Sequence, residues 1–263
     1  MALRRSLSFA VATIVAIGLS VTVLAVKFGV PDDGEHPYVG LVVFYNDDLV
    51  PQWRCTGTLI SPTVLLTAGH CAELEGPAQV WFQETVTTAL GYPTSGGYTG
   101  TAHVYPGWQG GLFLPDTGDA GVVILDSPVG ITDFPSLASV GSLDALATER
   151  GTQSVAFQVV GYGLQSVKPV LSQVRTRMKA WVQLVNLTSA LTDGFNIQTT
   201  NAPGTGTGSG GTCFGDSGGA IFNEDGEIVA VNSFVLNENC NGSSFGYRVD
   251  TADVQEWILS FLE

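Results

Sequence analysis

Charge is what this chain has least of. Only 13% of its 263 residues are Asp, Glu, Lys or Arg, about half the usual share, and those few are lopsided, 24 acids against 10 bases for a net charge of −14. A surface of that sign repels phosphate backbones, which excludes nucleic-acid binding. Zinc-type spacing is missing as well, since no C-x-x-C and no histidine cluster occurs. Glycine is abundant but without the strict period of collagen, and a hydrophobic share of 44% is too high for a disordered chain. What is left is a folded globular protein, long enough to bury a full core as one large domain or two small ones.

The one long apolar run lies at the start. Leu7 to Val26 carries no charge and follows Arg4 and Arg5, the pattern of an export segment. Val23-Leu24-Ala25 puts small residues where a signal peptidase reads, so a cut after Ala25 is expected; the alternative is an uncleaved anchor, since twenty apolar residues just cross a bilayer. Either way residues 1–27 form an address, and the rest of the chain is secreted or faces outward, with membrane contact only if the segment stays on. Four cysteines in such a compartment favour disulfides.

Helical periodicity is hard to find before the C-terminus. There Val254, Trp257, Ile258, Phe261 and Leu262 recur as one helical stripe, beginning near Asp250 or Thr251. Upstream, short apolar runs alternate with turn residues: Tyr38 to Tyr45, Thr58 to Ile60, Val64 to Thr67, Val122 to Leu125, Val155 to Val160 and Ile228 to Phe234. Many short strands at close spacing indicate an all-β sandwich or barrel. A boundary between two halves is placed near residues 138–150, with Ser142 to Glu149 as a short turn, and the glycine-rich stretch Asn201 to Gly211 reads as a loop.

Three local strings carry chemistry. Gly215-Asp216-Ser217-Gly218-Gly219 surrounds a serine with residues suited to a tight turn, where backbone amides and a hydroxyl converge. A hydroxyl needs a base, and His70 stands at the end of an apolar run in Leu66-Thr67-Ala68-Gly69-His70-Cys71. An imidazole needs an orienting group, and Asp119 precedes the buried run Ala120 to Leu125. Asp116 is the alternative aspartate; His36 and His103 show no partner in the sequence and read as structural or solvated.

These strings, in the order His, Asp, Ser, resemble those of the trypsin-like (chymotrypsin-fold) serine proteases, from about Gly34 to the C-terminus. Gly161-Tyr162-Gly163 resembles the motif that opens the second half of such proteins, and Val231-Asn232-Ser233-Phe234 their substrate-pairing edge strand. The resemblance implies an all-β fold of two antiparallel six-stranded β-barrels with the active site in the cleft between them, plus a C-terminal α-helix, spanning 28–138 and 139–263. It implies catalysis by His70, Asp119 and Ser217, an oxyanion hole from the backbone N–H groups of Gly215 and Ser217, disulfides Cys55–Cys71 and Cys213–Cys240, a protein or peptide substrate, and no cofactor or metal.

Specificity follows from the same resemblance. Gly211 stands at the floor of the pocket for the residue before the cut, without an acid to attract Lys or Arg. Ser233, Val235 and Gly246 stand along its walls, and the branched Val235 narrows it, so small or medium apolar residues are expected there. One family feature is missing: no Ile-Val-Gly-Gly string occurs to supply the ammonium that pairs with the aspartate before the nucleophile. Cutting after Ala25 would expose Val26 as a substitute partner for Asp216. Two other readings share the framework, a catalytically silent binding or adhesion module and a hydrolase acting mainly on esters.

Overall fold

A computed structural model describes residues 26–147, 154–167, 171–204 and 208–262; the export segment up to Ala25 lies outside the described residues. Six strands close the first barrel: β2 (Val39–Tyr45), β3 (Pro51–Leu59), β4 (Val64–Thr67), β5 (Pro77–Trp81), β6 (Tyr98–Val104) and β7 (Gly121–Leu125), in the order β2-β3-β4-β7-β6-β5. The second is built from β8 (Ala156–Gly161), β9 (Met178–Asn186), β10 (Asn196–Thr200), β11 (Ala220–Phe222), β12 (Ile228–Val235) and β13 (Ser243–Arg248), in the order β9-β10-β13-β12-β11-β8, and the β8–β9 pairing closes it. All the pairings between these strands are antiparallel. The fold is therefore two closed six-stranded antiparallel barrels with a short C-terminal helix, as expected.

Why β2 is apolar at nearly every position becomes clear from its two faces. Val42 and Phe44 pack in a cluster confined to the first barrel. Val39, Leu41, Val43 and Tyr45 point the other way, into a cluster shared with Val160, Phe222, Val231 and Tyr247 of the second barrel. The strand is a wall between two cores, so the period-two alternation of a half-solvated strand has no reason to appear. Each large side chain buried here is worth about 1.5 to 3 kcal/mol, and the shared cluster fixes one barrel against the other.

Helix α2 (Ala252–Leu259) starts after Thr251, where the apolar stripe begins. Val254 and Ile258 are buried in the shared cluster, and Trp257 and Phe261 lie against it, but Leu262, beyond the end of the helix, is exposed. At the other end of the chain, Val26 is buried in the second barrel's cluster and β1 (Val30–Pro31) adds to β9.

Candidate active site

His70 sits in α1 (Gly69–Ala72), a single turn that begins as soon as β4 ends. The Cys55–Cys71 disulfide ties this turn to β3. Asp119 stands two residues before β7, which pairs with β4, so strand pairing alone carries the carboxylate to the imidazole. It is fully buried and accepts the backbone N–H of His70 at 2.7 Å, and its Oδ2 lies 2.9 Å from His70 Nδ1. Ser233 Oγ donates to the same Oδ2. Burial opposes a charge on the imidazole, but the charge and hydrogen bond of Asp119, with Glu73 adding to them, outweigh it and raise the His70 pKa above its ordinary 6.5. An imidazole held through Nδ1 presents Nε2 as its free base.

Ser217 lies in the turn before β11, braced by Cys213–Cys240. Gly215 has φ +96° and Gly218 φ +79°, conformations that other residues rarely adopt. A Cβ on Gly218 would also stand 2.1 Å from Thr67 Oγ1, so the turn packs onto β4 only with glycine there. Thr56 brackets the turn from β3: its N–H donates to Ser217 O and its hydroxyl to Gly215 O, both at 2.8 Å. The Phe214 carbonyl accepts from Leu164 N–H at 2.9 Å, so the Gly215 N–H of that planar peptide faces the opposite way. Among the described residues no acceptor takes the N–H of Gly215 or Ser217, whereas that of Asp216 is spent on Cys213 O at 3.0 Å. Two adjacent unspent donors can bind an oxyanion.

His70, Ser217, Ser233 and Val235 line one cleft of about 260 Å³, together with Leu112, Thr212 and Phe234. No hydrogen bond joins Ser217 to His70 among the described residues; His70 Nε2 instead lies 3.6 Å from Cys71 Sγ. Ser233 lines the cleft while its hydroxyl is committed to Asp119. Gly211 and Gly246 are not among the lining residues. A Cβ on Gly211 would meet Asn201 Oδ1 at 1.8 Å, and one on Gly246 would meet Ile221 Cδ1 at 2.4 Å. Asp116 accepts from Tyr247 Oη at 3.1 Å and is not hydrogen-bonded to His70.

Two residues read as partnerless behave differently. His36 is buried against Asp32, which Arg177 also holds at 2.8 Å, a correction to the view that it lacks an acidic partner. His103 stacks near Phe261, with ring centroids 5.5 Å apart. Thr56 and Asp32 carry no motif that marks them in the sequence. Asp216 is fully buried; it accepts the N–H groups of Gly163 at 2.8 Å and Cys213 at 2.9 Å, yet burial pushes its pKa up to about 7.

The sequence pattern of the trypsin family matches residues 28–258. Among solved structures, HL collagenase superposes with a TM-score of 0.69 at 18% identity, covering 90% of this chain and 98% of its own. Human heparin binding protein gives 0.61 at 21% identity, covering 87% and 92%. An inactivated protease paralogue of the scabies mite gives 0.65 at 14% identity, covering 90% and 97%. A search of curated protein sequences found no significant match. At these identities the structures speak for the fold, while the match over residues 28–258 decides the kinship: this chain belongs to the trypsin family.

Proposed function

We propose that the protein is a secreted serine endopeptidase. The observation that carries this reading is the buried carboxylate of Asp119 on His70 Nδ1, in a cleft that also holds Ser217 beside two unspent backbone donors. Ser217 Oγ attacks the peptide carbonyl and its proton passes to His70 Nε2. The new O⁻ is held by the N–H groups of Gly215 and Ser217, and Asp119 stabilises the imidazolium. Collapse breaks the C–N bond, with the His70 proton leaving on the amine; water, activated by His70, then hydrolyses the acyl-enzyme. The bond between Ser217 and His70 forms as substrate fills the cleft, since such contacts tighten on binding.

Val235 and Thr212 in the cleft lining support preference for a small or medium apolar residue before the cut, and among the described residues no acid lines it to attract Lys or Arg. Two disulfides suit an oxidising compartment and so support export. The test is cleavage of a peptide library read by mass spectrometry. Cuts after Ala, Val or Leu are expected; strongest cleavage after Arg would overturn the specificity, and no cleavage of any peptide would favour a silent binding module.

A further inference from the structure

A second groove, of about 420 Å³, opens beside the first. The exposed Phe214 lines both, so the two lie on either side of the serine turn. Trp53, Arg54, Tyr92, Gln173 and Gly215 line the second one, and among the described residues no Asp or Glu does. In a chain of net charge −14 the position of each cation is informative. Arg177, Lys179 and Arg248 are spent on carboxylates, Lys27 on carbonyl oxygens, and Arg175 on the Val86 carbonyl and the Tyr92 ring. Arg54 alone among the described cations has neither an ion pair nor a hydrogen-bond acceptor. Asp216 attracts it at a distance, but both carboxylate oxygens of Asp216 are occupied by backbone N–H groups. A Cβ on Gly215 would stand 3.6 Å from Arg54 Nε, which puts the guanidinium next to one of the two oxyanion donors.

The direction of a bound chain follows. With the reacting carbonyl on the N–H groups of Gly215 and Ser217, the acyl half occupies the cleft of Thr212, Ser233 and Val235. The leaving half then departs past Gly215 into the second groove. We infer that Arg54 selects substrates carrying Asp or Glu in the leaving half, just after the bond that is cut. The inference rests on the endopeptidase reading for the direction of the chain, but its charge preference can be measured without turnover. A planar guanidinium with unused donors pairs well with a carboxylate, and Arg175, held over the Tyr92 ring at 4.5 Å, adds to the positive potential on that side.

The experiment uses the full chain with Ser217→Ala, so that peptides bind without being cut. Two dye-labelled peptides span the site and differ only by Glu or Gln in the leaving half, and anisotropy gives their Kd. The Glu peptide should bind about 3- to 10-fold more tightly at low salt, the range of a partly exposed charge-assisted pair, with the preference fading at high salt. Arg54→Gln should abolish the preference by weakening the Glu peptide more than the Gln peptide; Arg54→Lys should keep part of it, and Arg54→Glu should invert it. Equal binding of the two peptides, no binding of either, or a preference that survives Arg54→Gln overturns the inference. Equal weakening of both peptides by Arg54→Gln also overturns it, since that is the signature of a residue that only supports Asp216. Fluorophosphonate labelling of the wild-type serine reports on the endopeptidase reading separately, so either can fail alone.

Discussion

Asp216 offers a test of the serine turn that needs no substrate. Its carboxylate is fully buried and, among the described residues, accepts two backbone N–H groups, with Arg54 acting from a distance; burial dominates and carries the pKa from 3.8 to about 7. Between those values the folded chain keeps a proton that the unfolded chain has lost. The resulting stability is fully present below the unfolded pKa and is lost as pH rises through 7. A shift of that size corresponds to about 4 kcal/mol at 1.36 kcal/mol per unit. Asn at this position cannot ionise. Guanidinium unfolding of Ser217→Ala and Ser217→Ala/Asp216→Asn, with disulfides intact, should therefore show the double variant gaining about 4 kcal/mol relative to its parent between pH 4 and pH 8. Every other carboxylate cancels in that difference. A gap that stays constant with pH, or that moves in the parent's favour, would refute the reasoning. In a chain beginning at Val26, an amino group that reaches Asp216 would lower the carboxylate's pKa and flatten the gap, and adding one residue before Val26 would restore it.

Other outcomes follow from the same geometry. Asp119→Asn should lower kcat by about four orders of magnitude, the loss such a change carries in this catalytic arrangement generally, with little change in KM. The acid limb of the wild-type rate profile should have its midpoint above 6.5, because catalysis needs neutral His70 and Asp119 stabilises the cation; in Asp119→Asn the limb should move to lower pH. Loss of the limb's displacement without loss of rate would contradict the assigned role of Asp119.

The site was legible because its signals are local. Glycines flanking Ser217, the turn at His70 and the apolar run after Asp119 each announce themselves within a few residues. The barrel walls were less so. β10 is Asn196-Ile197-Gln198-Thr199-Thr200, hardly apolar, yet it is sandwiched between β9 and β13, and Thr199 Oγ1 pairs with Ser244 Oγ at 2.9 Å. Nothing in the local composition marks it as a strand. β9 alternates buried and accessible residues, but apolar Trp181 and Val185 at accessible positions masked the period. His36 was missed although its acidic partner Asp32 stands only four residues earlier, because a turn and not a regular element brings the two together; Arg177, which holds the same carboxylate, is far away in sequence. Gly211, which the resemblance places at a pocket floor, also owes its lack of a side chain to packing: the amide of Asn201, ten residues earlier, fills the space a Cβ would take. Thr56 was not legible at all, since its long-range hydrogen bonds from β3 shape the serine turn and leave no trace in either segment alone.

The measurement that bears most directly on the central claim is the intact mass of the exported protein before and after a fluorophosphonate, with Ser217→Ala alongside. A single adduct on the wild type that disappears in the variant is the predicted result, and it would show an activated serine at the position the geometry favours. No adduct on folded protein with both disulfides formed would contradict the account and leave a trypsin-family fold that binds without cutting.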